Sequence, residues 1–179
     1  MLRFFSIFVL IFMICFGVKG ADISIDGPEK FEQLDISAGQ KLKSISLKNL
    51  NINDQFWEKW NGLNFDLSDL ICLSFDRCTF EEWETFAFLA GFSIQKLKMT
   101  NCSISDENLS DIMKFSYVYI TEMIFSGNNL GKDKGQFYEA LENFHAKGGG
   151  LSLLNLSDNH VISEIKSKEY AGMPNIIWE

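Results

Sequence analysis

The side chains in this sequence best suited to nucleophilic, general-base or soft metal-ligand chemistry are two histidines, His145 and His160, and four cysteines, Cys15, Cys72, Cys78 and Cys102. A catalytic histidine needs a nucleophile within hydrogen-bond reach and a third group to orient it. No motif around either histidine supplies them. His145 stands late in a predicted helix, where a cation near the C-terminus is favoured, and His160 stands in a turn, where solvent or backbone satisfies an imidazole. The cysteines lack CxxC spacing, so no zinc site is indicated. The segment GKDKG from Gly131 to Gly135 lacks the GxxxxGK[ST] spacing that cradles phosphates and reads as a turn. No catalytic, cofactor-binding or metal-binding residue is assigned, no cofactor is expected, and the expectation is a protein that is not an enzyme.

Composition narrows the alternatives. With 179 residues and 46% hydrophobic content the chain has enough apolar material for one core. A formal charge of −8 argues against nucleic acid, which calls for a concentrated basic surface. Residues 1–20 differ from the rest. After Arg3 the run FFSIFVLIFMICF from Phe4 to Phe16 is apolar except for one serine, and Val18-Lys19-Gly20 precedes Ala21 as a cleavage site would. Residues 1–20 are read as a cleavable signal peptide rather than an uncleaved anchor, because a membrane span calls for about 20 apolar residues. The expectation is a secreted or otherwise exported chain with no stable membrane span after cleavage. Loss of the leader removes Arg3, Lys19 and Cys15 but no carboxylate, so the mature chain is more acidic still and keeps Cys72, Cys78 and Cys102, an odd number that cannot all pair within one chain.

The elements that position these groups come from internal repetition. LKSISLKNLNI at Leu42, LICLSFDRCTF at Leu70, IQKLKMTNCSI at Ile94, ITEMIFSGNNL at Ile120 and LSLLNLSDNHV at Leu151 share one apolar frame. Place four of that frame is Ile45, Leu73, Leu97, Met123 and Leu154; place six is Leu47, Phe75, Met99, Phe125 and Leu156. Place nine is Leu50, Cys78, Cys102, Asn128 and Asn159. The frame resembles the leucine-rich-repeat family, over residues 42–179. That resemblance implies an α/β fold: a right-handed solenoid, or horseshoe, with parallel strands on its concave face and helices on its convex face. Places four and six point to one side of a short strand because side chains alternate, and that side becomes the core. At place nine the chain turns, and Asn or Cys there can satisfy backbone groups left unpaired by the turn. Cys78, Cys102, Asn128 and Asn159 are therefore expected to form a structural ladder. Cys78 and Cys102 would stack about 5 Å apart, a spacing open to a disulfide; the family use is a pair of buried free thiols. The competing reading is an ordinary α/β domain whose alternating elements imitate the pattern.

Between the strands, apolar residues recur at helical spacing over Asp54 to Trp60, Glu81 to Ala90, Ser105 to Phe115 and Gln136 to Ala146, with Asp54 and Ser105 as N-cap candidates. Residues 21–41, with Ile23 and Ile25 and then Phe31, Leu34 and Ile36, read as a strand-rich N-terminal cap. At the other end Met173, Ile176 and Trp178 begin the frame again near the last residue. A sixth strand without its turn leaves an open edge. Either that edge meets a partner or another copy of the chain, or the sequence is a truncated member of a longer array, the reading preferred here.

Function is then sought on the outward positions, which line up into columns. Lys48, Ser74, Arg77, Lys96, Lys98, Glu122, Ile124, Leu153 and Asn155 form the expected binding face, with Cys72 as an exposed thiol and Ile124 and Leu153 as an apolar spot. A polar rim around an apolar centre suits a protein partner. Glycosylation sequons begin at Asn101, Asn108 and Asn155, and a glycan on Asn155 would obstruct the face. The expected role is protein recognition by a secreted, non-catalytic module. The alternatives are an exported microbial effector that binds host proteins and a repeat remnant with no partner of its own.

Overall fold

The computed structural model describes residues 20–35, 39–81, 93–116, 119–146, 150–160 and 176–178. The leader up to residue 19, Ile36, all but the first residue of the helix expected over Glu81 to Ala90, and residues 161–175 lie outside that set.

A single seven-stranded sheet organises the chain. Its strands are β1 (Ala21–Asp26), β2 (Leu42–Lys48), β4 (Cys72–Asp76), β6 (Lys96–Thr100), β7 (Glu122–Ile124), β8 (Leu153–Asn155) and β9 (Ile176–Ile177), adjacent in the order of the chain. Every pairing is parallel. Parallel neighbours in sequential order require each connection to return to the same end of the sheet before the next strand begins. The result is an α/β fold of repeat-like, solenoidal form. A second sheet of two short strands, β3 (Asn51–Ile52) and β5 (Thr79–Phe80), lies past the turn; it pairs Ile52 with Phe80, the last apolar residues of the first two copies of the frame, and was not expected as a sheet.

The register joins like to like. Ile45 pairs with Leu73, Leu73 with Leu97, Leu97 with Met123, Met123 with Leu154 and Leu154 with Ile176. The frame also extends backwards: Ile23 pairs with Ile45 and Ile25 with Leu47. Strands bury one face by alternation, and the residues at places four and six from β2 to β8 are almost wholly enclosed. The place-one residues Leu42, Leu70, Ile94, Ile120 and Leu151 close the core at the strand entries.

Among the described residues four helices add to the same core: α1 (Pro28–Glu32), α2 (Asp54–Gly62), α3 (Asp106–Ser116) and α4 (Lys134–Ala146). They contribute Phe31, then Phe56 and Trp60, then Leu109, Ile112 and Met113, then Phe137, Ala140, Leu141 and Phe144. Each large side chain so enclosed is worth about 1.5–3 kcal/mol relative to exposure. Phe31 stacks on Phe56 with ring centroids 4.6 Å apart, so α1 seals the end of the core next to α2. Among the described residues of 21–41, strand is confined to Ala21–Asp26; Gly27 at φ 83 breaks the extended chain and Pro28, with its fixed φ, starts α1. Helix α2 is capped by Asn53, whose side chain accepts from the Phe56 N–H, and Asp54 is its first helical residue rather than its cap. Among the described residues no helix is long and apolar enough to cross a membrane.

Candidate functional site

The solvent-facing side of the sheet is a grid fixed by the strand register. Place three runs Ser44, Cys72, Lys96, Glu122, Leu153 and place five runs Ser46, Ser74, Lys98, Ile124, Asn155, Ile177, each residue beside the next on the neighbouring strand. Adjacent strands are about 4.8 Å apart, so neighbours in a column touch. Lys96 forms an ion pair with Glu122 across β6 and β7. Lys98 stands between Ser74 and Ile124. Ile124 and Leu153 are half-buried rather than exposed, and Ile177 beyond them is 42% exposed. Lys48, Ser74, Lys96, Lys98, Glu122 and Asn155 are likewise half-buried, with Lys48 beside Asp76 and the Asn155 Oδ1 accepting the Ser157 N–H at 2.9 Å.

Cys72 shares this grid as a free, half-buried thiol. Burial pushes its pKa up, and the ammonium groups of Lys98 and Lys96 only partly offset that. Asp76, at the exit of β4, receives hydrogen bonds from Thr100 Oγ1 at 3.1 Å and Asn101 Nδ2 at 3.2 Å and pairs with Arg77 at 3.1 Å. Burial alone would raise its pKa, but those two donors and the guanidinium outweigh it and hold the carboxyl below its ordinary value.

Arg77 is the one residue of the expected face that the strands do not carry. It lies at place eight, and that place is a left-handed turn: Asn49, Arg77, Asn101, Gly127 and Asp158 have φ of 52, 53, 56, 68 and 57. Gly27, one residue past β1, continues the series. These turn N–H groups donate to the carbonyl of the place-seven residue in the next copy of the frame, from Gly27 to Lys48, Asn49 to Asp76, Arg77 to Thr100, Asn101 to Ser126 and Gly127 to Ser157, over 2.9–3.1 Å. The signal was present in the sequence, because Asn, Asp and Gly are the residues that adopt this conformation most readily. Arg77 is the exception that hid it.

Inside the turn, place nine closes the accounts of the backbone. Cys78 Sγ donates to the Leu47 carbonyl at 3.5 Å and Cys102 Sγ to the Phe75 carbonyl at 3.7 Å. Asn128 Nδ2 donates to the Met99 carbonyl at 2.7 Å, and Asn159 Nδ2 to the Phe125 carbonyl at 2.8 Å. In each case the acceptor belongs to place six of the preceding repeat. Cys78 and Cys102 are buried free thiols. Burial pushes both up, Cys102 to about 12.

Two groups without a repeat signal complete the scaffold. Ser105 and Asn108 form a reciprocal cap at the start of α3, the Ser105 N–H donating to Asn108 Oδ1 and the Asn108 N–H to Ser105 Oγ. Asp106, 3% exposed, accepts from the N–H groups of Gly131 and Asp133 at 2.6 and 2.7 Å and so ties α3 to the loop that starts α4. Among the described residues no three His, Cys, Asp or Glu side chains are grouped to hold a metal ion. His160 is exposed.

Comparison with protein-family models, with curated proteins and with solved structures finds no match to this chain.

Proposed function

We propose that this chain is an exported leucine-rich-repeat solenoid that binds a protein partner through the outward, concave face of its sheet and performs no catalysis. The observation that supports this reading is the register. Places four and six face the core without a polar residue from β2 to β8, while places three and five between them vary freely in charge, size and polarity. A column that is invariant in character on one side and diverse on the other is a scaffold presenting a surface. The family reading rests on the frame together with the place-nine side chains that bond to the preceding repeat. Export rests on the leader pattern in residues 1–20.

The test places a photo-crosslinking amino acid at Ser74 on the face, or at Glu139 on the exposed side of α4 as a control, and exposes both proteins to the medium or host extract that the chain enters. The proposal expects a discrete adduct from the Ser74 position that the Lys96→Glu, Lys98→Glu double variant abolishes. Adducts of equal yield from both positions, or adducts indifferent to the charge reversals, overturn it.

A further inference from the structure

The grid separates the two cations at the centre of the face. Lys96 is neutralised by Glu122 on the next strand. Asp76, the acid one strand to the other side, is occupied by Arg77, Thr100 and Asn101. Lys98 forms no ion pair with a carboxylate among the described residues, and its neighbours in the register are Ser74 and Ile124. Ile124 in turn adjoins Asn155, Leu153 pairs with Glu122 one strand beyond, and Ile177 follows Asn155. An unshared ammonium thus stands directly beside Ile124, with Leu153 diagonally beyond it on the next strand and Ile177 past Asn155.

Resting on the recognition reading above, we infer that the partner is a protein segment presenting a carboxylate side chain to Lys98 and, within two residues of it, an aliphatic side chain to Ile124 and Leu153. Charge complementarity selects the acid, because the neighbouring carboxylates are already engaged, Glu122 by Lys96 and Asp76 by Arg77, Thr100 and Asn101, which leaves Lys98 as the cation of this pair without a counter-charge. The spacing follows from geometry: Lys98 and Ile124 are one strand apart, about 4.8 Å, and Lys98 and Leu153 are two strands apart. Side chains at alternate positions of an extended segment share one face and stand about 6.6 Å apart, between those two gaps. The chain as a whole carries −8, so an acidic partner gains nothing from long-range steering and the carboxylate is read only at contact.

The experiment selects a displayed library of random peptide segments on the purified wild-type protein, on Lys98→Gln and on Ile124→Ser, with circular dichroism establishing that each variant is folded. The wild type is expected to enrich Asp or Glu within two residues of Leu, Ile or Val. Lys98→Gln is expected to lower binding of those segments about fivefold, the upper range for an exposed ion pair, and to lose the acidic preference while keeping the aliphatic one. Ile124→Ser is expected to show the converse. Enriched segments with no acidic preference, or a preference that persists in Lys98→Gln, overturn this inference and leave the recognition reading standing. Enrichment of no segment by any of the three proteins sinks the recognition reading and the inference together.

Discussion

The side chain of Asn128 donates to the carbonyl of Met99 at 2.7 Å, bridging from one turn to the strand of the preceding repeat. The same amide donates to the Phe125 carbonyl, and its Oδ1 accepts from the N–H groups of Cys102 at 2.9 Å and Ile104 at 3.1 Å. One 5% exposed side chain therefore satisfies backbone groups in two successive repeats. It converts a stack of similar units into a cooperative one, because each of those groups would otherwise be buried without a partner.

Replacing Asn128 by Leu removes every one of these bonds while keeping the volume. Each buried group left unpaired costs about 1–3 kcal/mol, so a loss of roughly 3 kcal/mol or more is expected. Urea denaturation checks it, through a lower midpoint at unchanged slope. A change within experimental error would show that the stack is held by apolar packing alone.

The place-eight turns make a paired prediction of opposite sign. Gly127 has φ +68, and a Cβ there would lie 2.2 Å from Asn101 Oδ1. Gly127→Ala should destabilise by about 1–2 kcal/mol, the cost of a side chain in the left-handed region, with displacement of the Asn101 amide besides. Arg77→Gly relieves the same conformation at φ 53 and gives up only an ion pair at the surface. It should be neutral or stabilise by up to about 1 kcal/mol. Thermal melts of both variants decide, and a strongly destabilised Arg77→Gly would assign the guanidinium a structural role.

How far the fold could be read from the chain depends on the range of the interaction concerned. Places four and six were legible because a parallel register stacks identical positions, so Leu73, Leu97, Met123 and Leu154 report one environment several times over. Strand β1 belongs to the same frame one short repeat earlier, yet Gly20 stands where the other copies carry an aliphatic residue at place one, and this concealed the equivalence of Ile23 and Ile45. Arg77 was read as a strand residue because alternation carries no information about where a strand ends. Asp106 was invisible for a different reason: its partners Gly131 and Asp133 are remote in sequence, and nothing local distinguishes it from an ordinary acidic residue at a helix start.

That buried carboxylate is open to test. Asp106→Ala leaves the N–H groups of Gly131 and Asp133 without their acceptor, and bonds to a charged group are worth about 1.5–3 kcal/mol each. The expected effect is local before it is global. Hydrogen exchange should show amides of the loop and of the first turn of α4 exchanging faster, while the amides of β2 and β4 keep their protection. Uniform loss of protection across the sheet would mean that the loop and the strands open as one unit.

The thiols make the last prediction, and its sign follows from burial. Cys72, Cys78 and Cys102 are all shifted upward from an ordinary value of 9.0, Cys102 to about 12. Only the thiolate reacts readily with a disulfide reagent, so the folded protein should react slowly near neutral pH and faster as pH rises. Cys72, half-buried on the outer face, should react first; Cys78 and Cys102 should wait for unfolding. A raised thiol pKa means that the folded state holds protons which the unfolded state releases above about pH 9, so stability should fall as pH climbs past that value. Replacing Cys102 by Ala should flatten that fall, measured as the melting midpoint between pH 8 and about 11. Because Cys72 adjoins Lys96 in the register, a partner seated on the face should also slow its modification while leaving the buried pair unchanged. Equal protection of all three thiols by the partner would point to a general tightening of the fold, and faster reaction of Cys102 than of Cys72 in the folded protein would contradict the burial order on which the prediction rests.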